Sequence, residues 1–293
     1  MDATTTRPAA APRSEFARSF FGRLLRNPVG FLGFVLALFV VVAAALGPLI
    51  APYDPLAQSI RDRFQGPSAA HWLGTDNFGR DTLSRVLHGY RTSISVSLGA
   101  VGISTVVGGL LGLIAAFFGG WIDRIIMRVM DVLLAFPIIL LAIAVLAVLG
   151  PGSLNTGLAI GIVYTPIFAR LARAPALTVL NWDYVSAARA LGSSPSRILA
   201  RHVTPNIMAP LMVQLTLSLS TAILVEASLS FLGLGTQPPI PSLGLMLSES
   251  RNTMLLSPWV SVFSGLAILL ASLGFNLFGD GLRDLLDPTL RDA

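Results

Sequence analysis

Of 293 residues, 54% are hydrophobic and only 12% charged, and a mean hydropathy of +0.74 lies far from the values of soluble globular domains. The net charge of +5 comes from 20 basic residues, all of them arginine, against 15 acidic ones, and there is no cysteine. Without lysine there is no GxxxxGK[ST] phosphate loop and no Schiff base, and without cysteine no thiol nucleophile or cysteine-bound metal, so any ATP-driven work falls to a different chain.

Charge-free runs of about 20 residues, the length that crosses roughly 30 Å of hydrocarbon, predict six membrane helices and an all-α integral membrane protein. The first occupies 28–51, between Arg26 and Asp54. AAA at 43–45 mimics a signal cleavage site, but the run is long and further spans follow, so it reads as an uncleaved anchor. The next segment, 52–91, is polar and contains HWLGTDNFGRD, His71 to Asp81. His71 five residues before Asp76 is the pattern of membrane acyltransferases that use histidine as a general base. His71, Asp76, Asp81 and His88 are also metal-ligand types, without tight spacing. The plainer reading has Gly74 and Gly79 making turns, Asp76 and Asp81 capping a helix, and Arg80 and Arg85 pairing with those acids or sitting at headgroup level.

The second span falls between Arg91 and Asp123, with Gly99, Gly102, Gly108, Gly109 and Gly112 spaced for close helix approach. Between Asp131 and Arg170 there is room for two spans, split by the turn signal GPGSLN at 150–155. Asp131 has Arg128 as its local partner. The fifth span lies between His202 and Glu226 and the sixth between Arg251 and Asp280; Pro137, Pro166, Pro205 and Pro210 are candidate kinks. Glu226 is the acid deepest in predicted hydrocarbon. It is a translocation-path candidate by default, set against pairing with another subunit or a place near the outer interface.

The connection 181–206, NWDYVSAARALGSSPSRILARHVTPN, reads as two short helices. Asn181 caps the first, on which Tyr184, Ala187, Ala188 and Leu191 form one apolar stripe; Gly192 ends it. Ser194 and Pro195 open the second, with Ile198, Leu199 and Val203 on one face and Arg197 and Arg201 on the other. A methyl-lined stripe lets another protein approach the backbone closely, while the arginines equally suit a helix lying on anionic lipid. With six spans both termini share a side, and the connections on that side hold 14 of the 20 arginines, which makes it cytoplasmic. His71 and Asp76 then face outward, away from cytosolic acyl donors. A secondary transporter is a further reading, but no internal repeat is visible and Glu226 is its only intramembrane acid.

The order Ala187, Ala188, Gly192, Pro205, with four residues from the second alanine to the glycine and thirteen from there to the proline, resembles the cytoplasmic loop of ABC-importer permeases. Four more blocks are similar to the dipeptide, oligopeptide and nickel permease family: LGTDNFGRDTLSRVLHGYRTSISV at 73–96, DVLLAFPIILLAI at 131–143, EASLSFLGLGTQPPIPSLGLML at 226–247 and NLFGDGLRDLLDPTLR at 276–291. Within that family the chain looks like the C-type subunit.

The resemblance implies a type I importer permease fold with cytoplasmic tails at 1–27 and 281–293, a first transmembrane helix at 28–51 and an external segment at 52–91. The permease domain at 92–280 would hold a coupling loop at 181–205 built from Asp183, Tyr184, Ser186, Ala187, Ala188, Leu191, Gly192, Arg197 and Pro205. Ser186 stands where that loop ordinarily has Glu, moving any carboxylate contact elsewhere, for instance to Asp183, and Thr204 replaces the usual Leu before Pro205. The implied partners are a B-type permease, one or two ATPase subunits that bind ATP and Mg, an extracytoplasmic binding protein and membrane lipid, with no nucleic acid. The implied setting is the bacterial inner membrane, with alternating access as the mechanism and no cofactor or catalysis in this chain. Peptides are favoured as cargo over bare metal, because the spans are charge-poor.

Overall fold

The computed structural model describes residues 22, 25 and 27–286, so most of the two expected tails lies outside the described residues. Helix α1, Pro28–Ile50, starts where Asn27 accepts the Gly30 N–H at 3.0 Å, and its 23 residues reach about 34 Å, enough to cross a bilayer core. Helix α2, Thr82–Phe118, is longer than expected and begins nine residues before Arg91, because Asp81 caps its first turn by accepting the Ser84 N–H at 2.8 Å. Gly119, at φ 61, ends it.

The third expected span differs most. Residues 120–149 form α3, Gly120–Leu134, and α4, Ile138–Leu149, bent by 98° at the break. Pro137 removes a backbone donor and keeps Phe136 out of helical geometry, which turns a kink into a corner. Helix α5, Ser153–Leu180, follows, then the short α6, Asp183–Ala190. The second short helix expected in 181–206 is instead the start of a rod: α7, Pro195–Ile198, passes through a π turn, Leu199–Val203, into α8, Thr204–Phe231. In that turn the Thr204 N–H reaches back five residues to the Leu199 carbonyl, and the widened turn relieves the clash Pro205 would make in a regular helix. Helices α9, Leu243–Ser250, and α10, Trp259–Leu286, complete the chain. Among the described residues five helices are long and apolar enough to cross a membrane, and the bent α3–α4 pair is a sixth candidate.

Close packing rests on small residues, as expected where no hydrophobic force drives helices together in lipid. A methyl placed on Gly108 would stand 2.4 Å from the Thr165 carbonyl oxygen, and one on Gly112 would stand 2.2 Å from that of Ala169, so α2 and α5 touch backbone to backbone. Gly99, Gly102 and Gly109 meet nothing within 4 Å, so two of the five glycines carry this contact. Gly30 against Gly281 and Gly33 against Phe278 seat α1 on α10 in the same way. Tyr90 on α2 donates to the Ala267 carbonyl of α10 at 3.0 Å. The chain order puts 52–81, 150–152 and 232–258 at one end of the bundle; 119–123, 181–194 and the close of α10 lie at the other.

Candidate functional site

The α6 end presents an assembled surface. Only two residues separate α5 from α6, and Asn181 is used on the α5 side: it closes that helix and donates to the Leu177 carbonyl at 2.9 Å. Trp182 rather than Asn181 therefore occupies the cap position of α6. Inside α6, Val185 is fully buried and Arg189 lies 5.8 Å over the Phe117 ring at the end of α2. The Tyr184 ring stands 5.7 Å from Trp182 and 5.7 Å from His202, and its hydroxyl accepts from Asn206 at 3.2 Å. Gly192, at φ 79, donates to the Arg189 carbonyl while Ser193 donates to that of Ala188, a Schellman closure that satisfies the last carbonyls.

With α6 fastened on that side, Asp183, Tyr184, Ser186, Ala187 and Leu191 point outward, Leu191 at 87% exposure, and Ala188 is half-buried. Arg197 and Pro205 are exposed on the start of the neighbouring rod, where Ile198 and Val203 are buried as expected. The stripe read from the sequence is thus an outward face of small and apolar side chains. Two ion pairs brace the same end: Arg173 grips Asp123 through two nitrogens at 2.5 and 2.6 Å, and Arg170 meets Asp131 at 2.5 Å. Asp131 therefore pairs across to α5 rather than with Arg128, which a separation of 39 residues concealed.

Glu226 sits between helices with no exposure. Ser230 donates to its Oε1 at 2.7 Å, while its Oε2 has no partner. The outward face of α8 carries Gln214, Thr221 and Ser228, seven residues apart, with the Tyr164 hydroxyl donating to Thr221 at 2.9 Å. This polar row went unread in the sequence, although its heptad spacing was visible there.

At the opposite end, Asp76 accepts from Arg80 Nε at 2.6 Å and from Arg85 at 2.5 Å, and both arginines reach Glu249 at 2.9 and 2.8 Å. The pairing of Arg80 and Arg85 with Asp76 was expected; Glu249, 164 residues from Arg85, was not. His71 Nδ1 stands 3.0 Å from Asp81 Oδ1, and Asp81 also caps α2, so His71 and Asp76 do not work as a pair. His88 Nδ1 is 2.8 Å from the carbonyl of Ser84. Among the described residues no three metal-ligating side chains converge. This end is a structural cap of turns and charge pairs.

Residues 108–292 match the family model described as binding-protein-dependent transport system inner membrane component, and 15–67 match the N-terminal TM domain of oligopeptide transport permease C. The di/tripeptide transport system permease protein of Pseudomonas aeruginosa is 47% identical over 97% of this chain and 94% of its own length. The dipeptide transport system permease protein of Alkalihalophilus pseudofirmus is 44% identical over 94% and 90%. The glutathione transport system permease protein of Pectobacterium atrosepticum is 44% identical over 94% and 91%. In fold the chain is similar to a solved chain of the MetNI methionine ABC transporter, with a TM-score of 0.56 at 16% identity, over 69% of this chain and 96% of that one.

Proposed function

The chain belongs to the binding-protein-dependent transport system inner membrane components, the multi-pass permease subunits of ABC transporters, and we propose that it carries peptides into the cytoplasm by alternating access. Its curated relatives named for dipeptide, di/tripeptide and glutathione transport all handle cargo with a peptide backbone, which supports this substrate class. In this reading ATP and Mg are bound and ATP is hydrolysed on one or two separate ATPase subunits. A B-type permease completes the membrane portion, and an extracytoplasmic binding protein delivers cargo. The permease domain spans 92–280 and its coupling loop 181–205. The arginine-rich end that carries α6 is cytoplasmic, as are the two tails.

The observation that carries the reading is the outward pair Ala187 and Leu191, beside partly exposed Tyr184, on a helix fastened by Val185, Arg189 and the Tyr184–His202 ring contact. A face that is small, apolar and uncovered, on an element that cannot swing freely, suits the transmission of a push from a docked ATPase. Asp183 supplies the carboxylate that Ser186 lacks, and Gly192 holds the turn that aims the helix. Ala188, Arg197 and Pro205 flank the docking face. Glu226, buried on α8 and bonded to Ser230 one turn on in the same helix, belongs to the translocation path in this reading. The decisive experiment is Ala187→Arg in the reconstituted complex: the chain is expected to insert and fold while peptide uptake and stimulated ATP hydrolysis are lost together. Uptake at the wild-type rate would remove α6 from the mechanism.

A further inference from the structure

At the α6 end a cleft of about 480 Å³ opens between α5, α8 and α10, lined by Leu171, Pro210, Val213, Gln214, Leu217 and Arg283. Its size falls within the range of about 300–1,000 Å³ that encloses small-molecule ligands. Arg283 is exposed, and none of its five donors is engaged by another described residue. Gln214 spends its Nε2 on the Ser218 hydroxyl at 3.0 Å and keeps Oε1 as an acceptor. Pro210 has no N–H, so the carbonyl of Asn206 one turn below lacks its helical donor. The cleft therefore offers one cation and the amide oxygen of Gln214 beside an apolar wall.

Lipid does not fit this face. The outward side of α1 is an unbroken run of Val29, Leu32, Val35, Leu38, Phe39, Val42 and Leu46, as acyl chains require. The corresponding face of α8 alternates Gln214, Leu217, Thr221, Leu224 and Ser228, and a primary amide turned toward hydrocarbon is costly. That alternation suits a face covered by water or protein rather than by acyl chains, and the cleft lies at its α6 end.

We propose that this cleft holds the carboxyl-terminal residue of the transported peptide on its way out, an inference that rests on the peptide-importer reading above. The carboxylate meets Arg283 as a two-pronged, charge-assisted pair, the last peptide N–H donates to Gln214 Oε1, and the terminal side chain lies on Leu171, Val213 and Leu217.

The test uses the whole complex, with its binding protein, in proteoliposomes given a radiolabelled dipeptide. A photoreactive residue is placed by Leu217→p-benzoylphenylalanine. The label is expected to crosslink during ATP turnover, to fall at least about tenfold with Arg283→Gln, since losing even one of the two charge-assisted hydrogen bonds brings that factor, and to return in part with Arg283→Lys. Three results overturn the assignment: unchanged crosslinking with Gln at 283, capture of phospholipid in place of peptide, or no crosslink despite dipeptide uptake. A wild-type complex that takes up no dipeptide at all overturns the functional reading itself, and the assignment with it, and so is told apart from the other three.

Discussion

The two ends of the bundle are built on opposite terms. At the cap end four charges, Asp76, Arg80, Arg85 and Glu249, close on one another with Arg85 at 1% exposure, while Ile60, Trp72, Leu255 and Leu256 stand exposed on the same end. At the α6 end the fastening lies on the inner side and the outer side is left open, with Leu191 almost wholly exposed. One end gathers its charges into a buried cluster, and the other turns small and apolar side chains outward. The comparison teaches that exposure alone does not mark a docking face: both ends expose large apolar side chains, and what sets α6 apart is that its exposed residues lie in a row on a short helix fastened from behind.

Mutations should separate the two ends cleanly. The largest stability loss is expected from Arg85→Leu, which leaves buried Asp76 and half-buried Glu249 with Arg80 as their remaining cation. Breaking such a cluster costs about 3–5 kcal/mol, read as a fall in thermal midpoint of the purified chain in detergent. Ala187→Arg should do the reverse: an unchanged midpoint, and peptide uptake lowered at least about thirtyfold, the factor for an interface hot spot of about 2 kcal/mol. Gly112→Leu tests the packing that joins the ends, since a side chain there meets the Ala169 carbonyl at 2.2 Å. Overpacking of this kind costs about 1–3 kcal/mol, measured by the same unfolding assay. His71→Ala should cost no more than about 1 kcal/mol and leave uptake intact; loss of uptake with the fold preserved would make the cap more than a brace.

Much of this was legible in advance, for reasons that differ by residue. Hydrophobic length gave the long helices, because a bilayer tests nothing else so directly, and the stripe with its Gly192 stop marked the short helix α6. Asp81 and Gly192 act where local chemistry says they should, as a cap and a left-handed stop. What sequence could not supply is partnership at a distance. Glu249 and Arg170 choose partners across the bundle, which no window reveals. The corner at Pro137 was readable as a kink but not as 98°, since the angle depends on what α3 and α5 pack against. Pro205 was likewise read as a kink, whereas the chain answers it with a π turn and keeps one continuous rod.

The corner between α3 and α4 also bears on the surrounding lipid. The 12 residues of α4 reach only about 18 Å, against the roughly 30 Å of a typical hydrocarbon core. The remainder is met by α3 lying across the bundle with Trp121, Ile125, Val129 and Val132 turned outward, or by acyl chains that shorten beside it. Bilayer thickness thereby becomes a variable of transport, and uptake in vesicles of graded acyl-chain length should pass through an optimum on the thin side.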